Sequence, residues 1–192
     1  MLLNNTTSYA KLSNGEAVLN SVEPHLSASN NLGIKLVFAN PNAMEDTSQR
    51  HTEYISLSQA DRLSKTMRKI VYLFKHSSNQ DAINAFMQLP IPFADVQDAN
   101  GNVIRANNAE EIKNIKASNP EIEFIATDDK ETVFKAVKFT VDKEQFQSQL
   151  LGALKHLESS LYELTFVAEK DKNGEPNGFN RLRSISPAKF KA

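Results

Sequence analysis

The stretch YISLSQADRLSKTMRKIVYLFKH, residues 54–76, changes from a strand pattern to a helix pattern within a few residues. Ile55 and Leu57 alternate with polar neighbours, which is typical of a half-buried strand. The apolar residues that follow are spaced mainly by three and four, which predicts an amphipathic helix. The predicted buried stripe of this helix consists of Leu63, Met67, Ile70, Val71 and Phe74.

The predicted helix begins at a polar segment and carries a strongly basic face. Ser58 is the predicted N-cap, and Asp61 follows three positions later, where its carboxylate would complete a capping box. The basic residues off the buried stripe are Arg62, Lys65, Arg68, Lys69 and Lys75. The segment therefore raises the question of what a basic helix, attached directly to a strand, does in a chain whose net charge is only −1.

The same order of strand, cap and helix recurs in the last third of the chain. A strand over residues 133–141 precedes a predicted N-cap at Asp142 and a second amphipathic helix. A hairpin is predicted from strands at 163–168 and 179–186. Hairpins favour antiparallel pairing, so we predict an α+β fold: a mainly antiparallel sheet with two long amphipathic helices packed on one face. The strand-helix unit is a candidate internal repeat.

The domain organisation follows from composition along the chain. Residues 1–12 are rich in polar residues and are predicted to form a flexible N-terminal arm. Residues 13–192 are predicted to form a single α+β domain, within which residues 91–131 are a candidate acidic insertion. At 192 residues and 40% hydrophobic content, the chain is long enough for one sizeable core.

Composition also excludes several classes of protein. The chain has no cysteine, so it has neither disulfides nor thiolate metal sites. The N-terminus lacks the pattern of a signal peptide, and the sequence has no apolar run of 18 residues. We therefore expect a cytoplasmic protein that does not associate with membranes.

The sequence contains no recognised catalytic or nucleotide-binding motif. The P-loop, the dinucleotide-binding glycine motif, the zinc-protease motif and the nucleophile elbow are all absent. The four histidines never stand three or four residues apart. We predict no catalytic residues, no metal and no cofactor, and we expect a non-enzymatic protein. Asp128 and Asp129 are the only candidates for an alternative enzymatic centre, and an exposed charged turn is the simpler interpretation.

The near-neutral net charge conceals an uneven distribution. Residues 50–75 contain six basic and two acidic residues, residues 95–131 contain four basic and nine acidic residues, and residues 176–192 contain four basic and no acidic residues. Such asymmetry suits a polyanionic partner, or the association of the acidic region of one copy with the basic region of another. A homo-oligomer is therefore one expectation.

The predicted strands combine aromatic and basic residues on their less apolar faces. Lys35, Tyr54, Phe134, Lys138, Phe179, Arg181 and Arg183 are the residues concerned. Single-stranded nucleic acid is bound by cations that contact phosphates and by aromatic rings that stack on bases. If these strands are neighbours, their exposed face forms a binding platform, and the predicted basic helix adds Arg62, Lys65, Arg68 and Lys69.

The leading hypothesis is thus a non-enzymatic protein that binds single-stranded nucleic acid and acts as a homo-oligomer, with a phage or mobile-element origin. The alternative is a protein-interaction or assembly component, such as an inhibitor or a scaffold subunit, that docks to a protein partner through its acidic middle segment. Under either hypothesis, each basic or aromatic residue taken singly also has a purely structural interpretation, as a solvated or edge-strand side chain.

Overall fold

A computed structural model of the protein describes residues 12–127 and 133–188. Within these ranges the chain forms nine strands and four α-helices. The strands are β1 (Gly15–Leu26), β2 (Leu32–Ala39), β3 (Arg50–Ser56), β4 (Phe93–Asp95), β5 (Arg105–Ala106), β6 (Glu123–Ala126), β7 (Phe134–Phe139), β8 (Leu161–Lys170) and β9 (Pro176–Pro187). The helices are α1 (Ala60–Lys75), α2 (Gln80–Met87), α3 (Ala109–Ser118) and α4 (Lys143–Lys155). The predicted α+β class and antiparallel pairing are confirmed.

The larger sheet has five strands in the order β3-β2-β1-β8-β9, and every neighbouring pair is antiparallel. Alternation along β2 separates its two faces: Ile34, Leu36 and Phe38 are buried in the main core, whereas Lys35 points to the other face. We call the face that carries Ile34 the inner face and the opposite one the outer face. The predicted C-terminal hairpin is present as β8 and β9.

The five-stranded sheet is strongly curved. The rings of His51 on β3 and Phe166 on β8 lie with their centroids 4.8 Å apart. These strands are three positions apart in the sheet order. In a flat sheet the backbones of these two strands would be about 14 Å apart, because neighbouring strands are roughly 4.8 Å apart. Side chains that stand perpendicular to such a sheet would remain about as far apart. The inner face is therefore concave, and it surrounds the helices.

Helices α1 and α4 both pack on the inner face, as predicted for the two long helices. α1 contacts the two edge strands, β3 and β9, while α4 contacts the central strands β1 and β2. The Tyr162 hydroxyl donates to the backbone carbonyl of Leu73 in α1 at 3.2 Å. Burial raises the pKa of Tyr162 to about 12, although a hydrogen bond with Ser160 opposes that rise. Tyr162 thus remains a neutral donor within the core.

The remaining strands form a second, smaller sheet. β7 is its central strand: β6 pairs with one edge, while β4 and β5 pair in succession with the other. A small core of Ile125 and Val137 packs against Ala60 at the start of α1. The candidate acidic insertion therefore supplies β4, β5 and β6 to a sheet that is completed by β7, the strand before α4. The two strand-helix units β3–α1 and β7–α4 accordingly begin in different sheets.

The predicted cap of α1 is wrong. Gln59, not Ser58, occupies the N-cap position, and its side chain makes no capping hydrogen bond. Instead the carboxylate of Glu123, on β6, accepts a hydrogen bond from the backbone N–H of Ala60 at 2.7 Å. Lys143 of α4 donates to the carbonyl of Ser58 at 2.9 Å and lies 3.7 Å from Glu123. Glu123, which is 63 positions from Ala60 in sequence, thus caps α1 in place of the predicted local cap.

The predicted buried stripe of α1 is correct except at one position. Val71 is 44% exposed, whereas Leu73, which the prediction omitted, is completely buried. The reason is the curvature of the sheet: the edge strands β3 and β9 both contact α1, so its buried face is displaced towards the side that includes Leu73. By contrast, the Asp142 N-cap of α4 is confirmed, since its side chain accepts from the backbone N–H of Gln145 at 2.8 Å.

Residues 1–11, most of the predicted N-terminal arm, lie outside the described residues. Leu12, the last residue of that predicted arm, is 4% exposed and joins the main core.

Candidate nucleic-acid interface

The strand residues predicted to form one platform lie in three separate places. Lys35 and Tyr54 are direct partners across β2 and β3. Phe134 and Lys138 are on β7 in the smaller sheet, and Arg181 and Arg183 are on β9 at the far edge of the larger sheet. A single platform made of all these residues is therefore wrong, because β7 is not a neighbour of β2, β3 or β9 in any sheet.

Lys35 and Tyr54 belong to a well-ordered cluster on the outer face. Glu23, Lys35 and Tyr54 form a row across β1, β2 and β3. The Lys35 ammonium lies 3.0 Å from the Glu23 carboxylate, which also accepts from the Ser21 hydroxyl at 2.9 Å. The hydrogen bond from Lys35, supported by that from Ser21, lowers the pKa of Glu23. The His25 ring lies against the 54%-exposed Tyr54 ring, with centroids 4.7 Å apart.

The two residues on β7 are poorly placed to bind a ligand together with the other candidates. Phe134 is half-buried, and its backbone neighbours across the sheet are Ala106 and Ala126. Lys138 is exposed and lies 3.9 Å from the Glu121 carboxylate. The partial burial of Phe134 favours a structural role for its ring.

The side chains of Arg181 and Arg183 on β9 are exposed. Arg181 pairs with Val167 and lies on the outer face, because its neighbour Leu182 is buried in the core. Arg183 stands at a register shift between the two strands, a β-bulge. The side chain of Phe179 lies outside the described set.

Lys69 connects α1 to the β3 edge and is the least available of the predicted helix cations. Its ammonium bonds one carboxylate oxygen of Glu53, whose other oxygen lies 3.2 Å from the His51 ring nitrogen. Burial of Glu53 acts to raise its pKa, but the hydrogen bonds with His51 and Lys69 outweigh this effect, so the pKa is lowered. This partly buried network stabilises the contact between α1 and β3.

The rest of the basic helix face is open to solvent. Arg62, Lys65, Arg68 and Lys75 are all exposed. Lys65 pairs with Asp61 one turn earlier at 2.7 Å, and Arg68 also makes an interaction of its own. Exposed pairs of this kind contribute about 0–1 kcal/mol and exchange partners readily. The cations are therefore accessible to another anion.

Two residues of this face were missed by the sequence prediction. Tyr72 is 48% exposed and stacks on His76, with ring centroids 5.8 Å apart and planes 20° apart. The Lys75 ammonium lies 6.0 Å from the centre of the Tyr72 ring. Tyr72 falls outside the predicted apolar stripe and has a histidine four residues later. This spacing could have predicted a pair of rings on the polar face of α1. We define the α1 stripe as Arg62, Lys65, Arg68, Tyr72, Lys75 and His76.

The acidic middle segment is largely engaged in internal contacts. Of its six described acids, Asp95 pairs with Lys135, Glu121 lies near Lys138, and Glu123 caps α1. Asp98 accepts backbone hydrogen bonds within its own turn, mainly from Asn102, and its pKa is lowered. Glu111 accepts from Asn107 and Asn108 at the start of α3. Glu110 alone among these six has no such contact, and Asp128, Asp129 and Glu131 lie outside the described residues.

Within the described residues, no group of three or more histidine and carboxylate side chains is arranged to hold a metal ion. The enzymatic alternative, which rested on Asp128 and Asp129, lies outside the described residues. None of the four described helices combines the length and the hydropathy of a membrane-spanning segment.

Comparison of the chain with protein-family models and with curated proteins gives no match.

Proposed function

We propose that this protein binds single-stranded nucleic acid, with the α1 stripe as the surface that contacts the phosphates. The observation that carries the proposal is the combination of four exposed cations with the exposed Tyr72 ring, which stacks on the partly buried His76, on one helix face. Cations neutralise the backbone charge, and an aromatic face stacks on bases of any identity. The exposed Arg181 and Arg183 supply further positive charge on β9, a strand that contacts α1.

The size of the α1 stripe suits a short segment of a strand. Arg62 and His76 are 14 residues apart along α1, which corresponds to about 21 Å at the helical rise of 1.5 Å per residue. A strand stacked as in B-form DNA advances about 3.4 Å per nucleotide, so the α1 stripe would cover about six nucleotides. A 12-nucleotide probe is therefore long enough to occupy it fully.

A protein partner docking through the acidic middle segment is the less favoured function. Five of the six described acids in that segment already have internal contacts. A partner that used them would first have to break contacts that stabilise the fold, the cap of α1 among them. The α1 stripe, by contrast, combines exposed cations with the exposed ring of Tyr72, and its Lys65–Asp61 pair is a surface contact.

The test is a fluorescence-anisotropy titration with a labelled 12-nucleotide single strand and the duplex of the same sequence. The logarithm of the binding constant falls with the logarithm of the salt concentration, with a slope of about −0.7 per phosphate contact. For three to four contacts, the affinity for the single strand should therefore fall about 20- to 50-fold between 50 and 200 mM salt. The duplex should bind more weakly. Arg62→Glu/Lys75→Glu should remove most of the binding to the single strand.

A matched control separates the effect of position from the effect of net charge. Lys113→Glu/Lys116→Glu on α3 changes the net charge by the same amount at two exposed positions away from the α1 stripe. This control should bind nearly as tightly as the wild type. If the two double variants lose equal affinity, or if the wild type does not bind the single strand even at low salt, the proposed function is wrong.

A further inference from the structure

The outer face of the larger sheet carries a second aromatic surface, next to the β3 edge. We call Glu23, His25, Lys35 and Tyr54 the sheet patch. Tyr54 exposes 54% of its surface, and the tilted His25 ring beside it restricts its orientation. Gly33 is the cross-strand partner of His25 on β2, and a Cβ atom there would come 2.6 Å from the Ile55 carbonyl oxygen and 3.7 Å from the His25 ring. The absence of a side chain at this position leaves the sheet patch shallow and open.

The electrostatics of the sheet patch differ from those of the α1 stripe. Lys35 and Glu23 neutralise each other at 3.0 Å, so the sheet patch has no excess positive charge when His25 is neutral. Glu23 is held from two sides, by Lys35 and by the Ser21 hydroxyl. A neutral surface gains little from a phosphate group. The chemistry that remains is an exposed ring face beside one fixed acceptor and one fixed donor.

An unpaired nucleobase has the complementary features. Its flat face stacks on an aromatic ring, and its Watson–Crick edge presents donors and acceptors side by side. We infer that the sheet patch binds one unpaired base, stacked on Tyr54 with its Watson–Crick edge against the Glu23–Lys35 pair; this inference rests on the proposed function. Because the pair offers both an acceptor and a donor, the recognition tolerates different bases. In a duplex the partner base already occupies the Watson–Crick edge, so this recognition requires a single strand.

The position of β3 connects the two surfaces. Glu53 faces α1 and bonds Lys69, while the next residue, Tyr54, points to the outer face. β3 is an edge strand of its sheet, so no further strand of that sheet separates the two sides. A nucleic-acid strand that follows α1 can therefore pass around this edge and place a base on Tyr54. The α1 stripe thus supplies the phosphate contacts, and Tyr54 adds a base contact to the stacking offered by Tyr72.

The test compares the affinities of protein variants for a normal strand and for a modified strand, as in a double-mutant cycle. Wild type and Tyr54→Ala are titrated at low salt with a 12-nucleotide single strand of mixed sequence and with a strand of equal length that lacks all bases. Tyr54→Ala should weaken binding of the normal strand about 5- to 150-fold, the range measured for loss of one base stack. It should leave binding of the abasic strand unchanged. Tyr54→Phe should retain the normal affinity.

Two further variants complete the design. Glu23→Ala/Lys35→Ala leaves the net charge unchanged. It should likewise weaken binding of the normal strand more than binding of the abasic strand. Met87→Ala, which shortens a 75%-exposed apolar side chain on α2, should change neither affinity.

Each alternative result has a definite meaning. If Tyr54→Ala weakens both strands equally, or neither strand, the inference is overturned while the proposed function stands. If the wild type binds the normal strand but not the abasic one, phosphate contacts by the α1 stripe do not hold the strand, and the inference is overturned. If the wild type binds neither strand, the inference and the proposed function both fail.

Discussion

Replacing Glu123 by alanine should destabilise the protein by removing the cap of a helix that lies far away in sequence. The Glu123 carboxylate accepts a hydrogen bond from the backbone N–H of Ala60 at 2.7 Å, and Gln59 supplies no side-chain cap of its own. Ala60 is completely buried, so water cannot easily replace the lost acceptor. The first turn of α1 would then contain an unsatisfied donor.

The expected magnitude follows from the burial of that donor. An unsatisfied buried hydrogen-bonding group costs about 1–3 kcal/mol, and loss of a helix cap costs about 0.5–2 kcal/mol, so we expect a loss of about 2 kcal/mol. For a chain of this length, 1 kcal/mol corresponds to about 2–4 °C in Tm, which predicts a decrease of about 4–8 °C. Glu123→Gln keeps an acceptor oxygen and should lose only about 0.5 kcal/mol, from the missing charge near the helix N-terminus.

Urea unfolding followed by far-UV circular dichroism measures these differences, since the chain has no tryptophan to report on folding. The matched control is Glu121→Ala, two residues earlier, whose side chain is half exposed and lies 3.9 Å from Lys138. A surface pair of this kind should change stability by about 0.5 kcal/mol or less. If Glu123→Ala is as stable as that control, the proposed capping of α1 from β6 is refuted.

Two further predictions concern the larger sheet. Gly33→Ala should lower the free energy of unfolding by roughly 1–3 kcal/mol, because the new Cβ would lie 2.6 Å from a backbone oxygen in the neighbouring strand. The control is Gly152→Ala on α4, where nothing lies within 4 Å, and it should be neutral or stabilising. Equal melting temperatures for the two variants would contradict this prediction. The lowered pKa of Glu53 means that its stabilising contribution is fully present above its ordinary value of 4.5 and is lost as the pH falls through the lower folded-state value. The advantage of wild type over Glu53→Gln, measured by urea unfolding from pH 7 to pH 3, should therefore shrink below pH 4.5, and a constant advantage would count against the network.

The parts of the fold that depend on local patterns could be predicted from the sequence. The period-two run before α1, the Asp142 cap of α4 and the β8–β9 hairpin each involve residues close together in the chain. The division into two sheets could not be predicted in this way. Whether β7 joins β2 or β6 depends on pairing between distant segments, and alternation along a strand shows its faces but not its neighbours.

The same limit applies to the candidate site. The basic face of α1 was found because helical periodicity separates it from the apolar stripe. Tyr72 was missed because only basic residues were considered on the polar face of the helix, although its position outside the apolar stripe could be seen from the spacing. Glu23 and His25 were missed because only the register of β1 against β2 places them beside Lys35 and Tyr54. Predicting them would require the strand pairing first.

The sheet order also determines when the protein can fold during its synthesis. β1 is the middle strand of the larger sheet, yet one of its partners, β8, lies about 150 residues later, with Gly15 opposite Leu164. Until that segment has left the ribosome, β1 to β3 form a meander in which the β1 edge lacks its partner, and the contact between β9 and α1 cannot form. Such long-range pairing slows folding and leaves nascent chains prone to aggregation. Chains stalled before β8 should therefore depend on chaperones, whereas completed chains should not.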